Sequence, residues 1–246
     1  MADARDVKEV DQPGAADESH LLPAHVVAGY ESFLDGSFHR EHDRYRRLAE
    51  TGQKPRTLLI GCSDSRVSPE IIFDAHPGDI FVVRNVANLV PPFDAQKDSH
   101  GTLAALEFAV LRLEVKHIVV MGHALCGGVR ASAERHRDPT KTPLSAGDFI
   151  GRWMEIIAPA AARLDNHDEP IEVYAERLGR ASVMETLANL RSYAYVAERE
   201  GSGALVLHGA YFDMADGRLF GLDEARRQFV PVAQDAHARS LAEPRF

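Results

Sequence analysis

The chain has 246 residues, 45% of them hydrophobic, with 37 acidic against 28 basic side chains and a formal charge of -9. That length can bury a substantial core in a single α/β domain, and the acidic balance excludes nucleic acid and anionic membrane, which both need a basic footprint. No stretch approaches the ~20 apolar residues of a membrane helix, and the start Met1-Ala2-Asp3-Ala4-Arg5-Asp6 lacks the basic-then-apolar order of a secretory signal, so a cytoplasmic protein with a small-molecule ligand is expected.

Residues 1–20 carry six acidic and two basic side chains, no Phe, Tyr or Trp, and a Pro-Gly pair at 13 and 14. They bury too little apolar area to offset the entropy of ordering, so 1–22 is expected to be a disordered acidic tail. A single α/β domain over 23–246 follows. It begins with an arm at 23–50, where Val26, Val27, Tyr30, Phe33, Leu34, Tyr45 and Leu48 fall mostly at helical spacings. Gly36 interrupts that run, which predicts two helices.

Three short apolar runs bounded by Pro and Gly, at 56–62, 79–84 and 116–122, read as buried strands of a parallel sheet. Between the second and third, Leu103, Leu106, Val110 and Leu113 are spaced three and four apart, which predicts a crossover helix over 102–114 and a βαβ unit. Helical stretches at about 148–165 and 170–199 precede a fourth strand at 203–208. The fold class is α/β, with a central mainly parallel β-sheet flanked by helices and an N-terminal helical arm.

Two constellations carry chemistry. Cys62-Ser63-Asp64-Ser65-Arg66 follows the first strand, at the sheet edge where open α/β folds place ligands. Positions i and i+2 of extended backbone share a face, so Cys62 and Asp64 can address one metal while Arg66 pairs with the carboxylate through its planar fork. His123-Ala-Leu-Cys126-Gly127-Gly128 closes the third strand and opens the next helix, where the local dipole favours a Cys126 thiolate. Two thiolates and an imidazole converging from neighbouring strands are a preferred donor set for zinc. Singly, each has a plainer reading: a buried thiol, a core histidine, a structural ion pair. A disulfide between the two cysteines, 64 positions apart, is the weaker alternative in a reducing compartment.

Cys-Ser-Asp-Ser-Arg at 62–66 followed by Gly-His-x-x-Cys-Gly-Gly at 122–128 resembles the β-class carbonic anhydrases, over about residues 24–232. Pro77-Gly78-Asp79-Ile80-Phe81-Val82-Val83-Arg84-Asn85, Ala87-Asn88, His208-Gly209 and Asp216-Gly217 extend the match. The resemblance implies one zinc per subunit held by Cys62, His123 and Cys126, with water or Asp64 as fourth ligand. It implies reversible hydration of carbon dioxide to bicarbonate and a proton through zinc-bound hydroxide, with Arg66 drawing Asp64 off the metal. Gln53 matches the family's substrate-binding glutamine, Phe81 an apolar pocket residue, and Phe108 a position often occupied by Tyr.

The subgroup regulated by bicarbonate carries a Trp and a Tyr where this chain has Leu59 and Phe212, so the plant-type subgroup, without a regulatory anion site, is expected despite the matching Arg84. The resemblance further implies a homodimer or higher homo-oligomer whose glutamine and aromatic residues serve a neighbouring subunit's site, with the arm as the wrapping element. His76, His100, His136 and His208 are read as structural or solvent-exposed. Two alternatives remain: hydrolysis of carbonyl sulfide or carbon disulfide at the same site, and a non-catalytic protein with structural zinc on Cys62, Asp64, His123 and Cys126.

Overall fold

The computed structural model describes residues 21–94, 101–164 and 169–242. Residues 1–20 of the tail expected over 1–22, and His100, lie outside the described residues. The chain divides into two compact units, Met1–Gly52 and Gln53–Phe246.

The first unit holds α1 (Ala24–Phe33) and α2 (His39–Thr51), joined by a π-helical turn, Leu34–Phe38. Gly36 therefore does not break the helix, as the sequence suggests; the extra residue is absorbed by one wide turn. Phe33 and Tyr45 have ring centroids 6.1 Å apart, and Phe38 lies 5.7 and 5.3 Å from them. A straight helix would advance about 18 Å over those twelve residues, so the axis bends at the π turn.

The second unit is built on one six-stranded sheet in the order β2-β1-β3-β4-β5-β6. β1 (Thr57–Cys62), β2 (Ile80–Asn85), β3 (His117–His123) and β4 (Val206–Asp213) are parallel, whereas β5 (Arg218–Asp223) and β6 (Gln228–Pro231) are antiparallel. Leu58, Ile60, Ile118 and Val120 are fully buried, as expected for central parallel strands covered on both faces.

Helix α3 (Pro69–Ile72) lies between β1 and β2. The β2-to-β3 crossover is α4 (Gly101–Glu107), extended by a π turn at Phe108–Arg112, in which Leu106 and Val110 are fully buried. After β3 come α5 (Gly127–Arg137), α6 (Phe149–Met154) and α7 (Ala158–Ala162). The helix expected at 148–165 is thus in pieces, because Pro159 is tolerated only in a first turn and restarts the helix. The stretch expected as one helix over 170–199 is α8 (Ile171–Leu190) and α9 (Ala194–Gly201). The break at 191–193 is fixed by the Ser192 hydroxyl donating to the Asn189 carbonyl at 2.6 Å and by buried Tyr193 donating to the Pro91 carbonyl at 2.9 Å. A last helix, α10 (Gln234–Ala242), follows β6.

This topology fixes where a ligand can sit. From β1 the chain moves outward to β2, and from β3 it moves the other way to β4, so the crossovers diverge at the carboxyl ends of β1 and β3. Such a switch point opens a crevice between two adjacent strands.

Candidate metal centre

Cys62 ends β1 and His123 ends β3, on neighbouring strands paired through Gly61 and Met121. Cys126, three residues after His123, is the N-cap of α5. The switch point therefore gathers all three side chains, and their donor atoms lie within 4.8 Å of one another. Cys62, His123 and Cys126 are 4, 2 and 6% exposed, and both cysteines are free thiols, so the disulfide alternative is not realised.

The donor set fits zinc on three counts. The Sγ atoms are 3.9 Å apart, and two sulfurs at ~2.3 Å from one tetrahedral ion would be separated by about 3.8 Å. His123 Nδ1 donates to the Ala124 carbonyl at 2.8 Å, which leaves the Nε2 lone pair free to ligate a metal. That Nε2 is buried with no hydrogen-bond partner, an orphan that a metal bond satisfies.

Electrostatics favour anionic sulfur. The Cys62 thiol is held down chiefly by its hydrogen bond with Cys126, against burial and with help from His123 and the backbone around Asp64 and Ala87. Cys126 is pushed up by sharing that bond and by burial, although the Gly128 and Val129 amides at the start of α5 act in the opposite sense. The two thiols thus titrate as a coupled pair, the first proton leaving more easily and the second less easily than from a lone thiol. Burial pulls the His123 imidazole down, but the neighbouring Cys62 sulfur outweighs it and leaves the net shift upward.

The turn after β2 completes one wall. Ala87 and Asn88 both have positive φ, 64 and 53°, and Asn85 closes the turn by donating from Nδ2 to the Leu89 carbonyl and accepting the Leu89 amide. The Ala87 amide thereby donates to Cys62 Sγ at 3.4 Å. α5 approaches so closely that a Cβ on Gly128 would stand 2.7 Å from Val86 Cγ1, which explains the glycine there.

Asp64 and Arg66 sit on the loop leaving β1. Arg66 donates from Nε and Nη2 to the two Asp64 oxygens at 3.0 and 2.8 Å, and its amide adds a third bond at 3.0 Å. That guanidinium contact holds the Asp64 carboxyl well below the usual carboxylate range, more than its slight burial raises it.

Three residues singled out in the sequence are not brought to this centre within the chain. Gln53 is exposed on the segment before β1. Phe81 pairs with Leu58, four residues upstream of the Cys62–Asn85 pair, hence about 13 Å along the strand from the ligands. Phe108 is 46% exposed and stacks on Phe81 with centroids 6.0 Å apart. Sequence reasoning in turn missed the supports: the Ala124 carbonyl, the Ala87 amide, and Arg84, whose guanidinium donates to the Cys62 and Asp64 carbonyls. The only signal for Arg84 and Ala87 was the Arg84-Asn85-x-Ala87-Asn88 run itself.

A sulfur–imidazole–sulfur set at the switch point of an open α/β sheet offers zinc three protein donors, the number that catalytic zinc sites use. The carbonic anhydrase family profile matches residues 57–219. The chain is 37% identical to beta carbonic anhydrase 3 of Arabidopsis thaliana over 78% of this chain and 73% of that one. It is 36% identical to a carbonic anhydrase of Pseudomonas aeruginosa over 88 and 94%. Among solved structures, the β-carbonic anhydrase CcaA superposes with TM-score 0.71 at 30% identity, covering 87% of this chain and 92% of that one. A β-carbonic anhydrase described as tetrameric, from Sordaria macrospora, gives 0.68 at 29%, covering 81 and 95%. The chain belongs to the β-class carbonic anhydrase family and catalyses zinc-dependent hydration of carbon dioxide. Hydrolysis of a sulfur analogue and a purely structural zinc are not favoured.

Proposed function

We propose that Cys62, His123 and Cys126 are the permanent ligands of one zinc per subunit, and that Asp64 and Arg66 form the catalytic pair beside the fourth position. The observation that carries this reading is the Asp64–Arg66 fork, which occupies both carboxylate oxygens next to the three-donor cluster. Bound zinc acidifies water enough to supply a hydroxide nucleophile near neutral pH. Arg66 keeps Asp64 ionised and holds both its oxygens, and a remaining carboxylate lone pair would accept a hydrogen bond from the attacking oxygen and orient it. The proton released when carbon dioxide and water become bicarbonate passes to solvent.

Gln53, Phe81 and Phe108 are assigned to substrate binding in a neighbouring subunit of a homo-oligomer, Gln53 donating to a carbon dioxide oxygen and the aromatic pair keeping the pocket dry. Support comes from the exposure of Gln53 and Phe108 and the distance of Phe81 from the centre of its own chain, together with the tetrameric relative. A cytoplasmic location suits a site that requires reduced sulfur.

Zinc content measured beside stopped-flow hydration tests the reading. One zinc per chain is expected in the wild type, and loss of zinc and hydration together in Cys126→Ala; full hydration by that variant overturns it. Carbonyl sulfide turnover in the same preparations reports any sulfur specialisation.

A further inference from the structure

β1 and β2 end level with one another, Cys62 opposite Asn85, and the Ser63 amide donates to the Asn85 carbonyl at 2.9 Å. There the chain leaves the sheet and turns, closing with the Val67 amide on the Asp64 carbonyl at 3.1 Å. Across this exit lies Arg84 of β2, which donates from Nε to the Cys62 carbonyl at 2.9 Å and from Nη2 to the Asp64 carbonyl at 2.7 Å. The two carbonyls bracket Ser63, so the peptide units between the ligand thiolate and the carboxylate are pinned from one rigid plane.

We infer that Arg84 is a positioning residue for the metal centre: its fork sets the backbone from which Cys62 and Asp64 project. Arg66 and Arg84 divide the labour. Arg66 holds the head of the Asp64 side chain, and Arg84 holds the peptide at its root and at the root of Cys62. Only a planar group with donors at fixed separation serves two carbonyls two residues apart; a Lys ammonium is a point donor on a flexible stem. With the root fixed, the Cys62 thiolate is already aimed before metal arrives, and Asp64 moves by side-chain rotation alone. The inference has two consequences. Zinc retention follows from Cys62 as a ligand, whereas the effect on turnover rests on the catalytic reading of Asp64.

The test uses the full-length zinc-loaded protein with Arg84→Ala, Arg84→Lys and Arg84→Gln. It measures zinc release into a chromophoric chelator, the thiolate charge-transfer band of the cobalt-substituted protein, kcat and KM, and melting of the zinc-free chain. Expected in Arg84→Ala are release about 10- to 100-fold faster, the range for a lost outer support of a metal ligand, a shifted cobalt band, and a fall in kcat with KM little changed. Methylguanidinium in solution should restore retention, since Arg84 is exposed, while Arg84→Lys recovers little. Melting of the zinc-free chain should match wild type. Wild-type release from Arg84→Ala, or full recovery by Arg84→Lys, overturns the inference. Should Arg84→Ala fail to fold, Arg84→Gln and Arg84→Lys are judged on the same release rate. Arg66→Ala run in parallel separates the two readings: unchanged hydration in it defeats the role of Asp64 and leaves the zinc-release result standing.

Discussion

Arg66 grips Asp64 at both oxygens, 3.0 Å from Nε to Oδ1 and 2.8 Å from Nη2 to Oδ2, two residues beyond the thiolate of Cys62. The side chain of Arg66 is half exposed, so its worth as a surface ion pair is small; its consequence lies in where it puts the carboxylate. Arg66→Ala should release Asp64 toward the metal and lower kcat about a hundredfold, the scale of an ångström-level misplacement, with zinc content unchanged. Arg66→Lys should recover part of it, since an ammonium supplies the charge but not the fork. Stopped-flow hydration with metal analysis decides this, and undiminished kcat in Arg66→Ala would remove Asp64 from the mechanism.

Metal removal should expose the thiol pair. In the zinc-loaded protein both cysteines should resist alkylation. After chelation two thiols should titrate, the first with the high reactivity of a thiol whose pKa is lowered by its partner sulfur 3.9 Å away. Because the Sγ atoms are only 3.9 Å apart, reactivation by added zinc should require a reductant, an oxidant instead trapping a disulfide. Zinc held at a hundred times its dissociation constant stabilises by about 2.7 kcal/mol, so the chelated protein should unfold at lower denaturant. Thiol titration and denaturant midpoints, with and without zinc, check both outcomes.

The parallel strands were legible because they are continuous apolar runs, and their ends fell within a few residues of β1 to β4. β5 and β6 were not, since both are short and incompletely buried and mix Arg218, Asp223 and Gln228 with Leu and Phe, β6 being the exposed edge strand. Cys62, His123 and Cys126 were legible through donor chemistry and spacing. Their supports were not: nothing in the letter of Ala87 announces a left-handed backbone, although Asn88 is of a type that tolerates one, and Ala124 acts only through its carbonyl. Gln53 and Phe108 show the converse, residues readable from resemblance alone whose placement a single chain does not supply.

Gly122, one residue before the His123 ligand, is where β3 meets α8 without a gap. A Cβ there would lie 2.8 Å from Val183 Cγ2 and 3.1 Å from Tyr211 Cδ2, and both neighbours are fully buried or nearly so. Gly122→Ala should therefore cost roughly 1–3 kcal/mol as overpacking and displace the end of β3 that carries His123. Adding Val183→Ala should restore part of the stability. A double-mutant cycle by urea denaturation measures the coupling, and additive losses would mean the strand, not Val183, yields.

The last prediction concerns acid. His208 on β4 and His117 on β3 sit side by side at the sheet end away from the metal, with Nδ1 of His117 3.1 Å from Nε2 of His208. Burial lowers the pKa of His208 from the usual imidazole value, and the charge of His117 lowers it further, while Glu224 acts weakly in the opposite sense. The folded state thus binds the His208 proton less readily than the unfolded chain does. Where the unfolded state holds more protons, stability rises with pH. The contribution of His208 is accordingly complete above the unfolded imidazole value of about 6.5 and is lost as pH falls below it through the lower folded value. His208→Gln, which keeps a hydrogen-bonding group beside His117 without a titrating one, should show a shallower loss of stability between pH 7 and pH 5 than wild type. The zinc ligands titrate equally in both proteins, so the difference between their denaturation midpoints isolates His208. Parallel curves across that range would show that the imidazole pair shares its proton as comfortably folded as unfolded.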